Sequence, residues 1–190
     1  MLSFMKHRLL LLFLSLLAAN LLKAQVVNIP DANFKAALLA HNPKIDTDND
    51  GKIQVSEAEA FTGTINVIRK NITSLAGIEA FVNITRLLCS NNNLTSLDVS
   101  KNTAIAALGC DNNQLTALDL SKNTALTSIG CMNNRLTSLD ISKNIALTSL
   151  SCYNNQLATL DVSQNALLTG LNFSSNPIQI INLDNCKQLT

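Results

Sequence analysis

Hydrophobic positions recur along most of this chain at one fixed interval. Cys89, Cys110, Cys131 and Cys152 are 21 residues apart, and so are Asn92, Asn113, Asn134, Asn155 and Asn176. One copy, LTSIGCMNNRLTSLDISKNIA from Leu126 to Ala146, places apolar or cysteine residues at Leu126, Ile129, Cys131, Leu136, Leu139 and Ile141. The same frame fits Ile84, Leu87, Cys89, Leu94; Ile105, Leu108, Cys110, Leu115; Leu147, Leu150, Cys152, Leu157; and Leu168, Leu171, Phe173, Ile178. Five regular copies therefore run in tandem from residue 84. A degenerate copy (Ile72, Leu75, Ile78) precedes them, and Leu189-Thr190 begins a sixth. Ile129 and Cys131 alternate inward with Gly130 and Met132 outward, which predicts one short strand per copy. No copy can bury its leucines alone, so the copies are expected to stack their strands into one parallel sheet.

The frame L-x-x-L-x-[LC]-x-x-N-x-L is that of a leucine-rich repeat. Its asparagine sits at the bend, where the amide can bond backbone groups of its own and the neighbouring coil. A second signature, L-D-[VLI]-S-[KQ]-N, follows at 97–102, 118–123, 139–144 and 160–165. It stacks Asp98, Asp119, Asp140 and Asp161 at about the 4.8 Å strand spacing. Because Lys101, Lys122 and Lys143 recur three residues on, and Asp or Ser in a turn bonds the local backbone, the ladder reads as structural.

Residues 25–70 have a different composition. Asp31 N-caps a helical pattern, DANFKAALLAHN, with Phe34, Leu38 and Leu39 on one face. VSEAEAF reads as a second, shorter helix ending near Gly63. Between them, DTDNDGKIQVSE (46–57) puts Asp46, Asp48 and Asp50 at the first, third and fifth positions of an EF-hand frame, Gly51 at the sixth and Glu57 at the twelfth. Three carboxylates, the Lys52 carbonyl, Gln54 through water or its side chain, and a bidentate Glu57 would supply the oxygen cage of Ca²⁺. One loop lacks the paired arrangement of calcium sensors, so it is expected to brace the cap.

Lys6, His7 and Arg8, the apolar run Leu9 to Leu22 and the small-residue site at Lys23-Ala24-Gln25 form the order of a secretory signal, 1–24. The run is too short and too interrupted for a membrane span. Its removal takes 14 basic residues to 11 against 13 acidic, a formal charge of −2, and leaves no basic patch for nucleic acid. Export permits disulfides. However, cysteines on adjacent parallel strands stand about 4.8 Å apart with their Cβ vectors side by side, beyond the ~3.8 Å that a disulfide prefers. Buried thiols are expected, with Cys186, outside the ladder, free or open to intermolecular pairing. His41 is the only histidine after the signal, and neither a G-x-S-x-G motif nor a paired-carboxylate cleft occurs, so no enzyme is expected.

The helical cap, NITSLAGIEAFVNITRL and the tandem repeats resemble the internalin-like leucine-rich repeat proteins secreted by bacteria. KAQ and IPDANFKAALL are similar to the versions found in Bacteroidetes. The resemblance implies a curved right-handed α+β solenoid over 71–190 whose concave sheet binds a protein or a surface glycan, on a secreted or cell-surface protein. It departs from the 22-residue internalin repeat by one residue per copy. Among outward strand positions, Arg86, Leu88, Asp111, Met132 and Tyr153 are the sizeable side chains available to a partner. Two other readings stand beside this one: a calcium-dependent attachment module like a dockerin, although dockerins carry two such loops, and a fragment of a larger surface protein. The final coil, with Ile178, Ile181 and Leu183, would present an open edge.

Overall fold

The computed structural model describes residues 25–189, so the signal segment lies outside the described residues. Helix α1 (Ala32–Leu39) begins where Asp31 Oδ1 accepts the Phe34 amide at 2.9 Å, and it buries Phe34 and Leu38. Helix α2 (Val55–Ala60) stops three residues before Gly63, because Phe61 turns to an extended conformation and buries its ring. The loop between them has a strand partner of its own. Val26 bridges Gln54 in antiparallel fashion, the Val27 amide donates to Ile53 O at 2.8 Å and the Val55 amide to Gln25 O at 2.8 Å. Ile45 and Ile53 anchor this arrangement in the core.

Asp31 also fastens the cap to the first coil. Its Oδ2 accepts the Thr73 amide (2.8 Å), the Thr73 hydroxyl (2.7 Å) and the Ser74 amide (3.2 Å). Burial alone would raise this carboxyl, but the bonds from Phe34, Thr73 and Ser74 outweigh it and hold the group below its ordinary value of 3.8. A depressed carboxylate contributes stability that is complete above the ordinary value and fades as pH falls through the folded one. Asp31→Ala is therefore expected to cost about 2 kcal/mol in chemical denaturation at neutral pH. The wild-type advantage over the variant should shrink below pH 3.8.

The coils stack as expected. Strands β1 (Thr64–Asn66), β2 (Arg86–Leu88), β3 (Ala107–Gly109), β4 (Ser128–Gly130), β5 (Ser149–Ser151) and β7 (Gly170–Asn172) form one parallel sheet in that order. Register advances by 21 residues from β2 onward, pairing Leu87, Leu108, Ile129, Leu150 and Leu171. The inward leucines, isoleucines and cysteines of successive coils make one continuous core that runs into the cap. Two features differ from the sequence reading. The sheet begins at β1, inside the 25–70 segment read as cap, because Ile65 and Val67 alternate inward and bury like the strands that follow. A second, two-stranded parallel sheet joins β6 (Thr159–Asp161) to β8 (Ile180–Asn182) along the other side.

Two asparagine ladders hold the bends. At the first, Asn134 Nδ2 donates to Cys110 O (3.0 Å) and Cys131 O (3.1 Å), while its Oδ1 accepts the Leu115 amide (3.0 Å). Asn92, Asn113, Asn155 and Asn176 bond in the same way. The residue before each takes the left-handed conformation: Asn91, Asn112, Asn133, Asn154 and Ser175 have φ of 53–59°, a region that asparagine tolerates better than other side chains. At the second bend, Asn102, Asn123, Asn144 and Asn165 are buried and donate from Nδ2 to carbonyls of the preceding coil, yet their Oδ1 atoms meet no donor. Cys186 occupies the next rung of this ladder: its thiol donates to Val162 O at 3.1 Å and Asn165 O at 3.7 Å.

Candidate functional site

The 46–57 loop is built by its own carboxylates. Asp46, 6% exposed, accepts the Asn49 amide on Oδ1 (2.7 Å) and the Gly51 amide on Oδ2 (3.1 Å). Asp48 accepts the Asp50 amide (3.1 Å), and Asp50 the Lys52 amide (2.8 Å). Gly51 is required by its φ of 77°, since a Cβ there would touch nothing. These turns bring one carboxylate oxygen from each of Asp46, Asp48 and Asp50 within 4.8 Å of one another. Gln54 Nε2 donates to Asp50 at 3.0 Å and reaches Asp48 at 3.5 Å, while the Oε1 atom of the same amide is buried and meets no donor. Lys52 stays outside, with Nζ 3.9 Å from Asp50.

Glu57 is not brought into that group. Its Oε1 accepts the Thr47 amide (2.6 Å) and hydroxyl (2.7 Å), and its Oε2 accepts the Gln54 amide (3.1 Å), so it closes the loop onto the start of α2. Burial would raise the Glu57 carboxyl, but the bonds from Gln54, Thr47 and Asp48 keep it below the usual range. The donor set is hard and anionic, and three aspartates with an orphaned amide oxygen fit a cation of the calcium class.

On the outward face of the six-stranded sheet the central positions are small: Gly109, Gly130 and Ser151, flanked by Ala107, Ser128 and Ser149. Arg86 is exposed, while Leu88, Asp111, Met132 and Tyr153 are half-buried. The structure thus places all five of these side chains on the outward face, four of them half-buried. Leu88 leans over Gly109, where a Cβ would stand 3.3 Å from its methyl. Asp111, Met132 and Tyr153 form one row across successive coils, and Arg86 stands apart at the N-terminal end of the face. Beside the row runs a chain of amides missed by sequence reasoning: Asn133 Nδ2 donates to Asn112 Oδ1 and Asn154 Nδ2 to Asn133 Oδ1, both at 2.7 Å. The repeated N-N pairs carry its signal.

Along the other side, Asp98, Asp119, Asp140 and Asp161 each accept the amide of the serine two residues on at 2.9 Å. Those amides hold all four carboxyls below the ordinary range. The ladder is a row of turns, as the sequence suggested.

A family description, Leucine Rich repeat, matches residues 90–111 and 111–133. The functional domain of InlJ from Listeria monocytogenes, described as including a cysteine ladder, superposes with a TM-score of 0.58 at 31% identity, over 89% of this chain and 47% of that one. The chain is a leucine-rich repeat solenoid. Internalin J of Listeria monocytogenes serotype 4b (strain F2365) is 39% identical over 75 residues, which are 39% of this chain and 8% of that protein. A leucine-rich repeat protein of Leptospira interrogans shares the fold at TM-score 0.55 and 24% identity, covering 60% of this chain and 31% of that one. This solenoid therefore spans less than half the length of the relatives it resembles.

The cysteines of the solenoid are unbonded and buried at 89, 110, 131 and 152. Burial pushes Cys89 up to about 12 and Cys152 up to about 11, and raises Cys110 and Cys131 still more strongly. They are neutral packing groups with no nucleophilic character. Among the described residues no helix is long and apolar enough to cross a membrane.

Proposed function

We propose that the chain is a secreted or cell-surface binding protein that contacts a protein or glycan partner through the outward face of its six-stranded sheet, with one structural Ca²⁺ site in its cap. The observation that carries the reading is the row Asp111, Met132 and Tyr153 beside a floor of glycine and serine. It is a repeated surface with large side chains along one side and small residues along the other, Gly109 lying under Leu88 and Gly130 under the Asp111 carboxylate. Such a face admits an extended partner closely, and Met and Tyr are types enriched in interfaces. The likeness to internalin J supports surface exposure, and the 1–24 segment supports export.

In the cap, Asp46, Asp48 and Asp50 would hold the ion with the Lys52 carbonyl and Gln54, and Glu57 would join as the twelfth-position ligand on releasing Thr47 and Gln54. Its part would be electrostatic, neutralising three converging carboxylates in the loop that joins α1 to α2.

The test is binding to arrays of bacterial and host surface proteins and of glycans. A Met132→Lys/Tyr153→Lys variant should lose at least about tenfold in affinity for any hit, as truncating a central anchor does. An Asp119→Lys/Asp140→Lys variant, altered on the opposite side, should bind as wild type. Equal loss in both, or none in the first, removes the sheet face from the reading.

A further inference from the structure

Among the described residues Asp111 is the only acidic one along the outward face of the six-stranded sheet, and three coils cooperate to fix it. Ser90 of the preceding coil donates its hydroxyl to Oδ2 at 3.1 Å and accepts the Asp111 amide at 3.2 Å. Met132 of the following coil donates its amide to Oδ1 at 3.0 Å. The carboxylate is thereby laid across strand β4, where residue 130 is glycine. A Cβ at that position would stand 2.9 Å from Oδ1 and 3.0 Å from Oδ2, well inside contact distance. The absence of a side chain at Gly130 is what lets the carboxylate lie there. Asp111 is half-buried, with one protein hydrogen bond on each oxygen, so lone pairs remain on both oxygens for a further donor pair.

Its neighbours in the row add shape. Met132 is one coil on and Tyr153 two coils on, at about 4.8 and 9.6 Å by strand spacing. The Tyr153 hydroxyl reaches back one coil and accepts from Asn133 Nδ2 in a long contact of 3.5 Å. From this row we infer that the sheet face carries a subsite for an arginine side chain of a protein partner, with its guanidinium on Asp111 and its stem along Met132 and Tyr153. This rests on the sheet face being the binding surface. The chemistry selects arginine over a divalent cation, because one carboxylate already accepting two hydrogen bonds offers no six- to eight-oxygen cage. It also selects arginine over a neutral group, because a planar cationic fork meets both carboxylate oxygens while its aliphatic stem covers apolar surface.

Met132 is the sole methionine after Met5, so ¹³C-methyl methionine labelling places one probe at the centre of the subsite. A short acetylated glycine–serine peptide with a central arginine should move the Met132 methyl resonance saturably. The same peptide with citrulline should bind about tenfold more weakly, the worth of a charge-assisted pair. Asp111→Asn, which keeps an acceptor for the Met132 amide, should weaken the arginine peptide by the same factor and leave citrulline unchanged. Gly130→Ala, which displaces the carboxylate without altering the charge, should weaken it too. Equal binding of the two peptides, undiminished binding to Asp111→Asn, or loss in Asp111→Asn with none in Gly130→Ala overturns the subsite. An unmoved Met132 methyl overturns it as well, while the sheet-face reading stands or falls separately on the lysine variants above.

Discussion

Asn134→Ala is expected to lower the free energy of unfolding by about 3 kcal/mol, the upper end of what orphaning buried polar groups costs. The amide answers three backbone groups at once: it donates to Cys110 O and Cys131 O and accepts from Leu115 N. Alanine answers none of them, and the position is buried. Asn144 gives the contrast. It donates to Leu120 O and Asn123 O but its oxygen has no donor, so only half of the amide is in use. The chain itself shows a thiol in that role at Cys186. Asn144→Cys should therefore cost only about 1 kcal/mol, within the ordinary range for a modest core change. Equilibrium urea denaturation of the two variants measures both. Equal costs would mean that the ladder oxygens contribute nothing.

Calcium should produce the second large effect. At one hundred times its dissociation constant a ligand stabilises the folded form by about 2.7 kcal/mol, which for a domain of this size raises the melting temperature by roughly 5–10 °C. Scanning calorimetry in excess Ca²⁺ and in chelator reads it directly, and identical melting in both removes the metal from the cap. Glu57→Gln sharpens the outcome. The residue now closes the loop on Thr47 and Gln54, so the variant should lose the calcium-dependent increment while the repeat region stays folded. If partner binding vanished in Glu57→Gln with melting unchanged, the loop would be an attachment element, not a brace.

The repeat was legible because stacking imposes one rule on every coil. A 21-residue spacing of inward residues and bend asparagines can only satisfy itself by lying in register. What escaped the pattern depends on single substitutions within it. β1 was hidden because its coil keeps only Ile65 and Val67 of the strand signature and follows a helix after only three residues. β6 and β8 form where Thr159 and Ile180 are β-branched; earlier coils have Ser96, Ala117 and Ser138 there, which favour a strand less. The partner of Cys186 was invisible because a cysteine in an asparagine register reads as an exception. The aspartates of the cap loop were legible as a constellation, but the direction of Glu57 was not: a carboxylate three residues into a helix can serve the helix start or a metal, and spacing is the same for both. Asp111 was seen as a surface residue. Its fixed position needed the neighbouring coils, since Ser90, Gly130 and Met132 are each a full repeat or close to it away in sequence.

Every bond made by the bend asparagines points backward along the chain. Asn134 reaches Cys110, Cys131 and Leu115, and Asn144 reaches Leu120 and Asn123; neither side chain bonds a residue that follows it. Each coil thus carries the fastener that attaches it to the coil already made, and the cap supplies the first surface to be fastened upon. Growth of the solenoid has a polarity. A chain emerging N-terminus first can lay down its turns in the order of their synthesis, each bend closed when the asparagine of the next coil arrives, as the Leu115 amide is answered by Asn134.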